Sequence, residues 1–391
     1  MTAKRKPKAA QAPLPLAIHE GVHLNLPDEI YFEQHALGSS DFHVLDKDTP
    51  SWWYGSAFNP ERRDQRRRNR ALVFGSALHA LLLEGENTYA RRFIVAPDAE
   101  KSFAESRKEI LELLAKRGAR VPTGKDSFDW GKLLGAVREA GVSHLVRQTA
   151  QAEYEAAKRA GFQTITEDED RRLRRMAWHI GQHHDLGPSL KKGFSEVSVF
   201  WRPENRPHIL LRARFDKLLT GFTIDLKTFS NPRDDSPEDA TLHAITNNGY
   251  DIQAEHYRDA RVQFARFVKE GAVYSWSVEE GQLRRASVLA RQKAELAEIA
   301  AFADWVWVWI FYQVQNDDAG SERAPVVVPW HTKPEGEMFE NARAAIDRAL
   351  DNYTAWVERA GLSQPWAEIH PIRQLPMDRL KRLAFKRTAP Q

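Results

Sequence analysis

The sequence has no cysteine among its 391 residues, and this absence excludes several kinds of site. Without thiols the chain forms no disulfide bond, no cysteine-ligated zinc site and no iron–sulfur cluster. It also lacks a Gly-rich phosphate-binding loop, so nothing in it supports the use of ATP. Its longest apolar run, residues 305–312, is far shorter than the roughly 20 residues that a membrane helix needs, and we expect no membrane association.

A strong charge of either sign is also missing. The formal net charge is +3, with 42% hydrophobic and 28% charged residues, which is typical of a soluble protein with a large core. Nucleic-acid binding therefore cannot be argued from overall charge and must rest on local clusters. No apolar stretch follows the basic residues near Met1, so we expect no signal peptide and an intracellular protein.

Composition and periodicity divide the chain into four parts. We predict a disordered basic tail over 1–25, a mainly helical part over 26–190, an α/β core over 191–335, and a C-terminal helix with a basic tail over 336–391. Within these parts the patterns predict strands over 194–201, 305–314 and 324–330, and helices over 251–269 and 337–358.

The most informative stretch reads RARFDKLLTGFTIDLKT, residues 212–228. Apolar and polar residues alternate along 209–216, which is typical of a strand with one apolar and one polar face. A second alternating run covers 222–227, directly after Thr220 and Gly221. The pattern predicts a β-hairpin with a Gly-containing tight turn.

The hairpin has a predictable register. If its loop has two residues, Leu219 pairs with Phe222 and Asp216 lies opposite Asp225, with their β-carbons roughly 5 Å apart. Two such carboxylates repel, so a positive group should lie between them. A divalent cation fits better than a lone ammonium because Mg²⁺ takes carboxylate oxygens and leaves positions open for a phosphate. Lys227 projects from the same face, where it can orient or deprotonate a water, or neutralise charge on a phosphate.

This arrangement, an Asp on one strand and Asp-x-Lys on its hairpin partner, resembles the motif of the PD-(D/E)XK nucleases. Residues 74–84, FGSALHALLLE, resemble the helix that carries the characteristic His in RecE-type and RecB-type nucleases. Glu196 resembles the acidic position on the preceding strand, and Gln253 with Tyr257 matches the Q-x-x-x-Y element on the following helix. The elements occur in the family's order, and residues from about 30 to the end resemble the RecE-like phage and prophage exonucleases.

The resemblance implies an α/β fold with a PD-(D/E)XK, or restriction-endonuclease-like, core: a mixed central sheet flanked by helices, with a mainly helical N-terminal region. It implies a metal-dependent exodeoxyribonuclease that degrades linear double-stranded DNA from its ends, 5′ to 3′. The single strands would serve recombination or repair in the cytoplasm of a bacterial or phage-infected cell. It also allows a single-strand annealing or recombinase partner, and a homo-oligomeric ring threaded by DNA.

The same resemblance assigns roles to individual residues. Mg²⁺, with Mn²⁺ as an alternative, is expected on Asp216, Asp225, the Leu226 carbonyl, His79 and Glu196. Lys227 completes the catalytic set. Gln253 and Tyr257 are expected at the rim of the active site, where they contact DNA or hold the catalytic lysine. The charge pattern, not the resemblance, adds Arg212, Arg214, Arg66, Arg67 and Arg68 to the expected substrate contacts. Asp225 stands where many relatives have Glu, which shortens one ligand by a methylene and changes the metal geometry.

The arginine positions have two interpretations. Residues 61–70, ERRDQRRRNR, hold six arginines and lead into the His79 helix. Such a run repels itself unless it meets anions, which indicates a phosphate-binding surface, but it can also be a solvated helix start. Arg212 and Arg214 share the face of Asp216 and are expected to face the substrate.

Two other functions fit the same residues. One is an endonuclease on the same core, because the motif does not separate cutting at ends from cutting within a chain. The other is a non-catalytic DNA-binding accessory protein of recombination, although the intact Asp216, Asp225 and Lys227 favour catalysis.

Overall fold

The computed structural model describes residues 18–59, 62, 70–97, 103–231, 233–277, 280–286, 289–313 and 326–369. Over these residues the fold is α/β, with a mixed eight-stranded central sheet, a separate two-stranded sheet and fourteen α-helices. The predicted α/β class, a mixed central sheet flanked by helices, is confirmed at this level. None of the described helices combines the length and the apolar composition that crossing a membrane requires.

Ten strands form the two sheets. In chain order they are β1 (Gly21–Leu24), β2 (Phe93–Val95), β3 (Gln163–Ile165), β4 (Phe194–Trp201), β5 (Leu211–Leu218), β6 (Phe222–Phe229), β7 (Val273–Ser277), β8 (Gln282–Arg285), β9 (Val306–Gln313) and β10 (Val327–Thr332). The central sheet has the order β10-β9-β6-β5-β4-β1-β7-β8, and β2 pairs with β3. Within the central sheet β1 runs parallel to β7 and β6 parallel to β9, while the other neighbours are antiparallel.

The helices lie on both sides of the central sheet. They are α1 (Asp28–Glu33), α2 (Ser39–Lys47), α3 (Thr49–Gly55), α4 (Arg70–His79), α5 (Glu86–Arg92), α6 (Arg107–Lys116), α7 (Trp130–Glu139), α8 (Arg147–Arg159), α9 (Glu167–Gln182), α10 (Leu186–Leu190), α11 (Pro237–Asn247), α12 (Tyr250–Glu270), α13 (Ala290–Ala301) and α14 (Glu337–Ala360). A π-helical segment, Ala80–Glu84, continues α4 directly, and short 3₁₀ segments lie at Gly124–Phe128 and Ser143–Leu145.

One face of the central sheet packs against the two longest helices. Phe215 of β5 and Trp307 of β9 share a core with Phe264 of α12 and Ala342 of α14. All four side chains are buried, as expected for apolar residues at the period of their own element. This core fixes α12 across the hairpin strands.

The opposite face packs against the helices that precede the hairpin in the chain. Leu226 of β6 and Ile310 of β9 share a second core with Leu78 of α4 and Leu173 of α9. Since side chains alternate along a strand, Leu226 faces this core while its neighbours Asp225 and Lys227 face away from it. The hairpin is therefore held between two helical layers.

The predicted hairpin register is confirmed. Lys217 pairs with Ile224 and Leu218 with Thr223, and the Leu219 N–H donates to the Phe222 carbonyl at 2.9 Å. The register is thus confirmed next to the turn, whereas the predicted pair of Asp216 with Asp225 is not among the ladder pairs, and the Asp216 side chain accepts from the Leu226 N–H instead. The two-residue loop follows from the alternation that flanks Thr220 and Gly221.

Several other predicted elements are present with boundaries shifted by a few residues. Strands β4, β9 and β10 and helices α12 and α14 occupy the predicted positions. Gly249 and Gly271 bracket α12 with φ angles of 68° and 70°, the left-handed conformation that favours glycine. The predicted turn that joins β9 to β10, residues 316–322, lies outside the described part of the chain.

The predicted disordered tail over residues 1–25 is wrong at its C-terminal end. Residues 1–17 lie outside the described part, but Gly21–Leu24 forms β1, whose four residues are all buried. This strand lies between β4 and β7 in the central sheet. Four residues are too few for a periodicity signal to outweigh a Lys-, Ala- and Pro-rich neighbourhood.

Residues 103–160 form a helical insertion with its own small core. The insertion joins β2 to β3, and the core contains Ile110, Leu133 and Val137, each fully buried. These side chains belong to neither core of the central sheet. The insertion therefore adds to the molecule without shaping the hairpin.

Candidate metal centre

Acidic residues occupy three neighbouring strands at the middle of the central sheet. Glu196 of β4 lies opposite Asp216 of β5, because the residues on both sides of them are paired in register. Asp225 lies on the neighbouring strand β6, one residue beyond the pair Lys217–Ile224. A row of carboxylates repels itself unless positive charge joins it.

The backbone at Glu196 has an unusual conformation. Its φ angle is 52° although it lies within a strand, and a non-glycine residue pays roughly 1–3 kcal/mol for such a conformation. Ser195 just before it contacts the π-helical segment through its hydroxyl, while Val197 just after it belongs to the core on the opposite face. From this conformation the Glu196 carboxylate contacts His79.

His79 brings the imidazole to this row of carboxylates. It is the last residue of α4. Its Nδ1 lies 3.6 Å from Glu196 Oε1, and its Nε2 lies 3.6 Å from Asp216 Oδ2. One ligand atom from each of these three residues lies within 4.8 Å of the others, so the group is able to hold a metal ion.

The Leu226 peptide group faces the same point. Its N–H donates to Asp216 Oδ2 at 2.8 Å, and its carbonyl lies 3.2 Å from His79 Nε2. The residue pairs of β5 and β6 end at Lys217–Ile224. The N–H of Leu226 is therefore free for the Asp216 side chain. The sequence predicts this carbonyl as a ligand, and it lies beside the His79, Glu196 and Asp216 group.

Asp225 has different partners from Asp216. Its Oδ1 accepts hydrogen bonds from Lys227 Nζ and from Gln253 Nε2, both at 2.8 Å. Its Oδ2 is buried with no hydrogen-bond partner in the described residues, and the side chain is only 2% exposed. Asp225 is not a member of the His79, Glu196 and Asp216 group. Its role as a ligand stays a prediction.

Burial and the neighbouring charges shift the pKa values of these residues. Burial opposes the protonated form of His79, but the charges of Asp216 and Glu196 outweigh it and raise its pKa to about 9. Burial also raises the pKa of Asp225 to about 6, with Lys227 opposing the shift and Asp216 adding to it. The pKa of Lys227 is raised, because Asp225 and Asp216 outweigh its burial.

The residues present fit a divalent ion. Two carboxylates, one carbonyl and one imidazole converge on one point, and the buried Oδ2 of Asp225 lacks a protein donor close by. A buried charged oxygen without a partner is costly, and a bound cation would satisfy it. Such a donor set suits Mg²⁺ or Mn²⁺, whereas zinc or copper sites contain more nitrogen or sulfur.

The two predicted substrate arginines of β5 are held by the protein itself. Arg212 donates to the carbonyl oxygens of Tyr31 and Gln34. Arg214 donates to Ser198 Oγ at 2.9 Å and to Asp28 Oδ1 at 2.6 Å. Both side chains are buried and hydrogen-bonded within the protein. Contact with a substrate stays a prediction for both.

A polar pocket of about 250 Å³ opens above the site. Six of the predicted residues share this cavity, which is lined by His79, Glu196, Arg212, Arg214, Asp216 and Tyr257. The Tyr257 hydroxyl accepts a hydrogen bond from the Arg214 N–H at 3.3 Å, and its ring is buried against Phe215. Tyr257 thus anchors β5 as well as lining the pocket.

Other residues at the pocket carry no motif signal. Asp28 of α1 and Arg92 of α5 line it, and Arg92 Nη1 donates to Glu84 Oε1 at 3.0 Å. Burial and the charge of Glu196 raise the pKa of Glu84 to about 6. Neither Asp28 nor Arg92 is close in sequence to the hairpin, so only the fold brings them to it. Arg66, Arg67 and Arg68 lie outside the described residues.

No protein-family model matches the chain, and no curated protein matches it.

Proposed function

We propose that this chain is a Mg²⁺-dependent exodeoxyribonuclease of the PD-(D/E)XK type, which degrades linear double-stranded DNA from its ends and leaves single strands for recombination or repair. One observation carries the proposal: His79, Glu196 and Asp216 converge on the Leu226 peptide, beside the hydrogen-bonded pair Asp225 and Lys227. The resemblance of the sequence to RecE-like exonucleases supplies the end dependence and the 5′ to 3′ direction.

The acidic residues would hold the divalent ion. Glu196, Asp216 and the Leu226 carbonyl offer oxygens, His79 offers a nitrogen, and Asp225 Oδ2 offers a further oxygen. A divalent ion held there would polarise a phosphate as a Lewis acid and would lower the pKa of a bound water. Mn²⁺ would replace Mg²⁺ because both accept this set of donors.

Lys227 has the position and the charge to act on the phosphate. Its Nζ donates to Asp225 at 2.8 Å and lies 5.0 Å from the centre of the Tyr250 ring, which favours the cationic form. Its pKa is raised by Asp225 and Asp216 despite burial. Of the two roles that the sequence leaves open, the raised pKa favours an ammonium that neutralises developing charge over a base that deprotonates water.

Gln253 positions this lysine and its partner. Its Nε2 donates to the same Asp225 oxygen that accepts from Lys227. The carboxylate is thereby fixed in one orientation, with Oδ2 turned away from both donors. In this proposal Gln253 acts by holding the Asp225 carboxylate that accepts from Lys227.

Digestion of an end-labelled linear duplex tests the proposal. Purified protein with Mg²⁺ is expected to release labelled mononucleotides from the 5′ label before the 3′ label, and EDTA is expected to stop the release. A covalently closed circular plasmid of the same sequence is expected to stay intact.

The same assay separates the two rival functions. Cutting of the closed circle would indicate an endonuclease and would contradict end dependence. DNA binding without hydrolysis in Mg²⁺ or Mn²⁺ would indicate an accessory protein. A homo-oligomeric ring and an annealing or recombinase partner in the cytoplasm belong to the proposal as well, and the mass of the protein in solution tests the ring.

A further inference from the structure

The described structure holds a hydrogen-bonded relay next to the proposed metal site that no motif contains. Ser195 and Lys217 form the pair that flanks Glu196 and Asp216 on one side. Lys217 Nζ lies 3.0 Å from Ser195 Oγ, and Ser195 Oγ donates to the Leu83 carbonyl at 2.6 Å. The relay therefore runs from β5 through β4 to the π-helical segment.

The chemistry of the two side chains gives the relay one direction. An ammonium group has only donors, whereas a hydroxyl has one donor and can accept. Ser195 Oγ must therefore accept from Lys217, and its single hydrogen is left for Leu83. The ammonium thus orients the hydroxyl towards the π-helical segment.

Lys217 is buried without a close ion pair. The residue is only 4% exposed, and burial lowers the pKa of its ammonium while the charge of Glu295 opposes the shift. Among the described residues no carboxylate lies within ion-pairing distance of it. Burying an ammonium without a paired charge is costly, so a lysine here must supply something that an apolar residue would not. Donation to Ser195 is the contact that the structure gives it.

The relay ends on the segment that fixes His79. The π-helical segment Ala80–Glu84 follows His79 directly, and the Gly85 N–H donates to the Ala80 carbonyl at 2.9 Å. Among the described residues, the Ser195 hydroxyl makes the one side-chain hydrogen bond that joins this segment to the central sheet. His79 itself makes one hydrogen-bond contact to the sheet, from its Nε2 to the Leu226 carbonyl at 3.2 Å, and its contacts to Glu196 and Asp216 are longer, at 3.6 Å.

We propose that Ser195 and Lys217 are positioning residues of the metal centre, which hold the π-helical segment at the distance from β4 and β5 where His79 meets Glu196 and Asp216. The inference rests on the proposed metal site, though not on nuclease activity. Residues that orient metal ligands from outside typically change metal affinity about 10–100-fold when they are removed.

Titration calorimetry of Mn²⁺ binding to the full chain tests the inference without DNA. Ser195→Ala is expected to weaken Mn²⁺ binding about tenfold, and Ser195→Thr, which keeps the hydroxyl, is expected to bind within about threefold of wild type. Lys217→Met tests the relay from its other end and is expected to weaken binding, whereas Lys217→Gln keeps a donor and is expected to restore most of it.

Ser56→Ala is the matched control. Like Ser195, Ser56 donates its hydroxyl to a backbone carbonyl, that of Trp53, at 2.8 Å, but this bond lies within the end of α3 and does not reach the π-helical segment. Its loss is expected to lower the melting temperature as Ser195→Ala does and to leave Mn²⁺ affinity unchanged.

The outcomes separate this inference from the proposed function. Wild-type affinity in a folded Ser195→Ala or Lys217→Met variant would overturn the inference, as would an equal loss in Ser56→Ala. Wild-type protein that binds Mn²⁺ but cuts no DNA would overturn the nuclease and leave the relay standing. Wild-type protein that binds no Mn²⁺ would overturn both.

Discussion

Glu196 and Asp216 lie opposite each other on β4 and β5, and His79 lies 3.6 Å from a carboxylate oxygen of each. Three consequences follow from this arrangement. The carboxylates need positive charge, the imidazole supplies part of it in the metal-free protein through a pKa of about 9, and a divalent ion would supply more. The strained backbone of Glu196, with φ at 52°, is explained if its carboxylate has a functional task.

Asp225→Asn is expected to lower the rate of DNA hydrolysis by at least about a hundredfold, because the neutral amide neither balances Lys227 nor offers a charged oxygen to a cation. DNA binding is expected to stay within about threefold. Single-turnover digestion and a binding assay on the same duplex measure the two effects. Asp304→Asn is the control, since Asp304 pairs with Lys333 at the surface. Equal activity of Asp225→Asn and wild type would contradict the assigned role.

Gln253→Leu is expected to lower kcat about tenfold with little change in KM, because the variant loses one hydrogen bond to the Asp225 carboxylate, a bond to a charged group worth about 1.5–3 kcal/mol. Steady-state digestion over a range of duplex concentrations separates the two constants. Gln151→Leu makes the same exchange at an exposed position of α8 and is expected to change neither kcat nor KM. A rise in KM alone would instead assign Gln253 to substrate contact.

The sequence predicts an element well when the pattern that specifies it lies within a few neighbouring residues. The hairpin is predictable because alternation and a Thr-Gly turn are local, and its register follows from counting. Strand β1 is not predictable in the same way, because its four residues gain their place only from the neighbours β4 and β7. The hairpin of β7 and β8 carries charged residues on an edge strand and gives no clear alternation.

The same limit applies to the site. Asp216, Glu196 and His79 are predictable as a set from the family resemblance, and the fold brings them within 4.8 Å. Counting predicts that Asp216 faces Asp225, but it does not predict that their carboxylates take different partners. Arg214 looks exposed in the alternation, yet it is buried, because α1 and Asp28 cover it. Packing between distant segments decides such details.

The contribution of His256 to the stability of the protein is expected to fall as the pH drops from about 6.5 to about 4. His256 is buried, and burial lowers its pKa to about 4, while its Nε2 contacts the Arg212 carbonyl. The unfolded chain takes up a proton at His256 near pH 6.5, and the folded chain does not. The contribution of His256 to the free energy of unfolding therefore falls by about 3 kcal/mol over this range. Denaturant unfolding at several pH values measures it.

The control for this pH dependence is His256→Gln, whose amide keeps a donor for the Arg212 carbonyl and does not titrate. The difference in unfolding free energy between wild type and variant is expected to change between pH 6.5 and 4 and to be flat above 7. A constant difference across the whole range would show that His256 does not titrate as its burial implies.

Arg261→Met is expected to lower the free energy of unfolding by about 2–4 kcal/mol. Its guanidinium is buried and donates to the carbonyls of Leu219 and Thr220 and to the Thr223 hydroxyl, all at the hairpin turn. These acceptors lose their donor in the variant. Arg266→Met, on the same helix but exposed, is expected to cost less than about 1 kcal/mol. Similar losses of stability in the two variants would contradict the role of Arg261 in holding the hairpin turn.

Anomalous scattering from crystals soaked in Mn²⁺ tests the central claim most directly. A peak is expected in contact with Asp216, the Leu226 carbonyl and at least one of Glu196, Asp225 and His79. The peak is expected to vanish in Asp216→Ala crystals grown and soaked in the same way. Crystals with no peak at these residues, or with Mn²⁺ bound only elsewhere on the surface, would contradict the account.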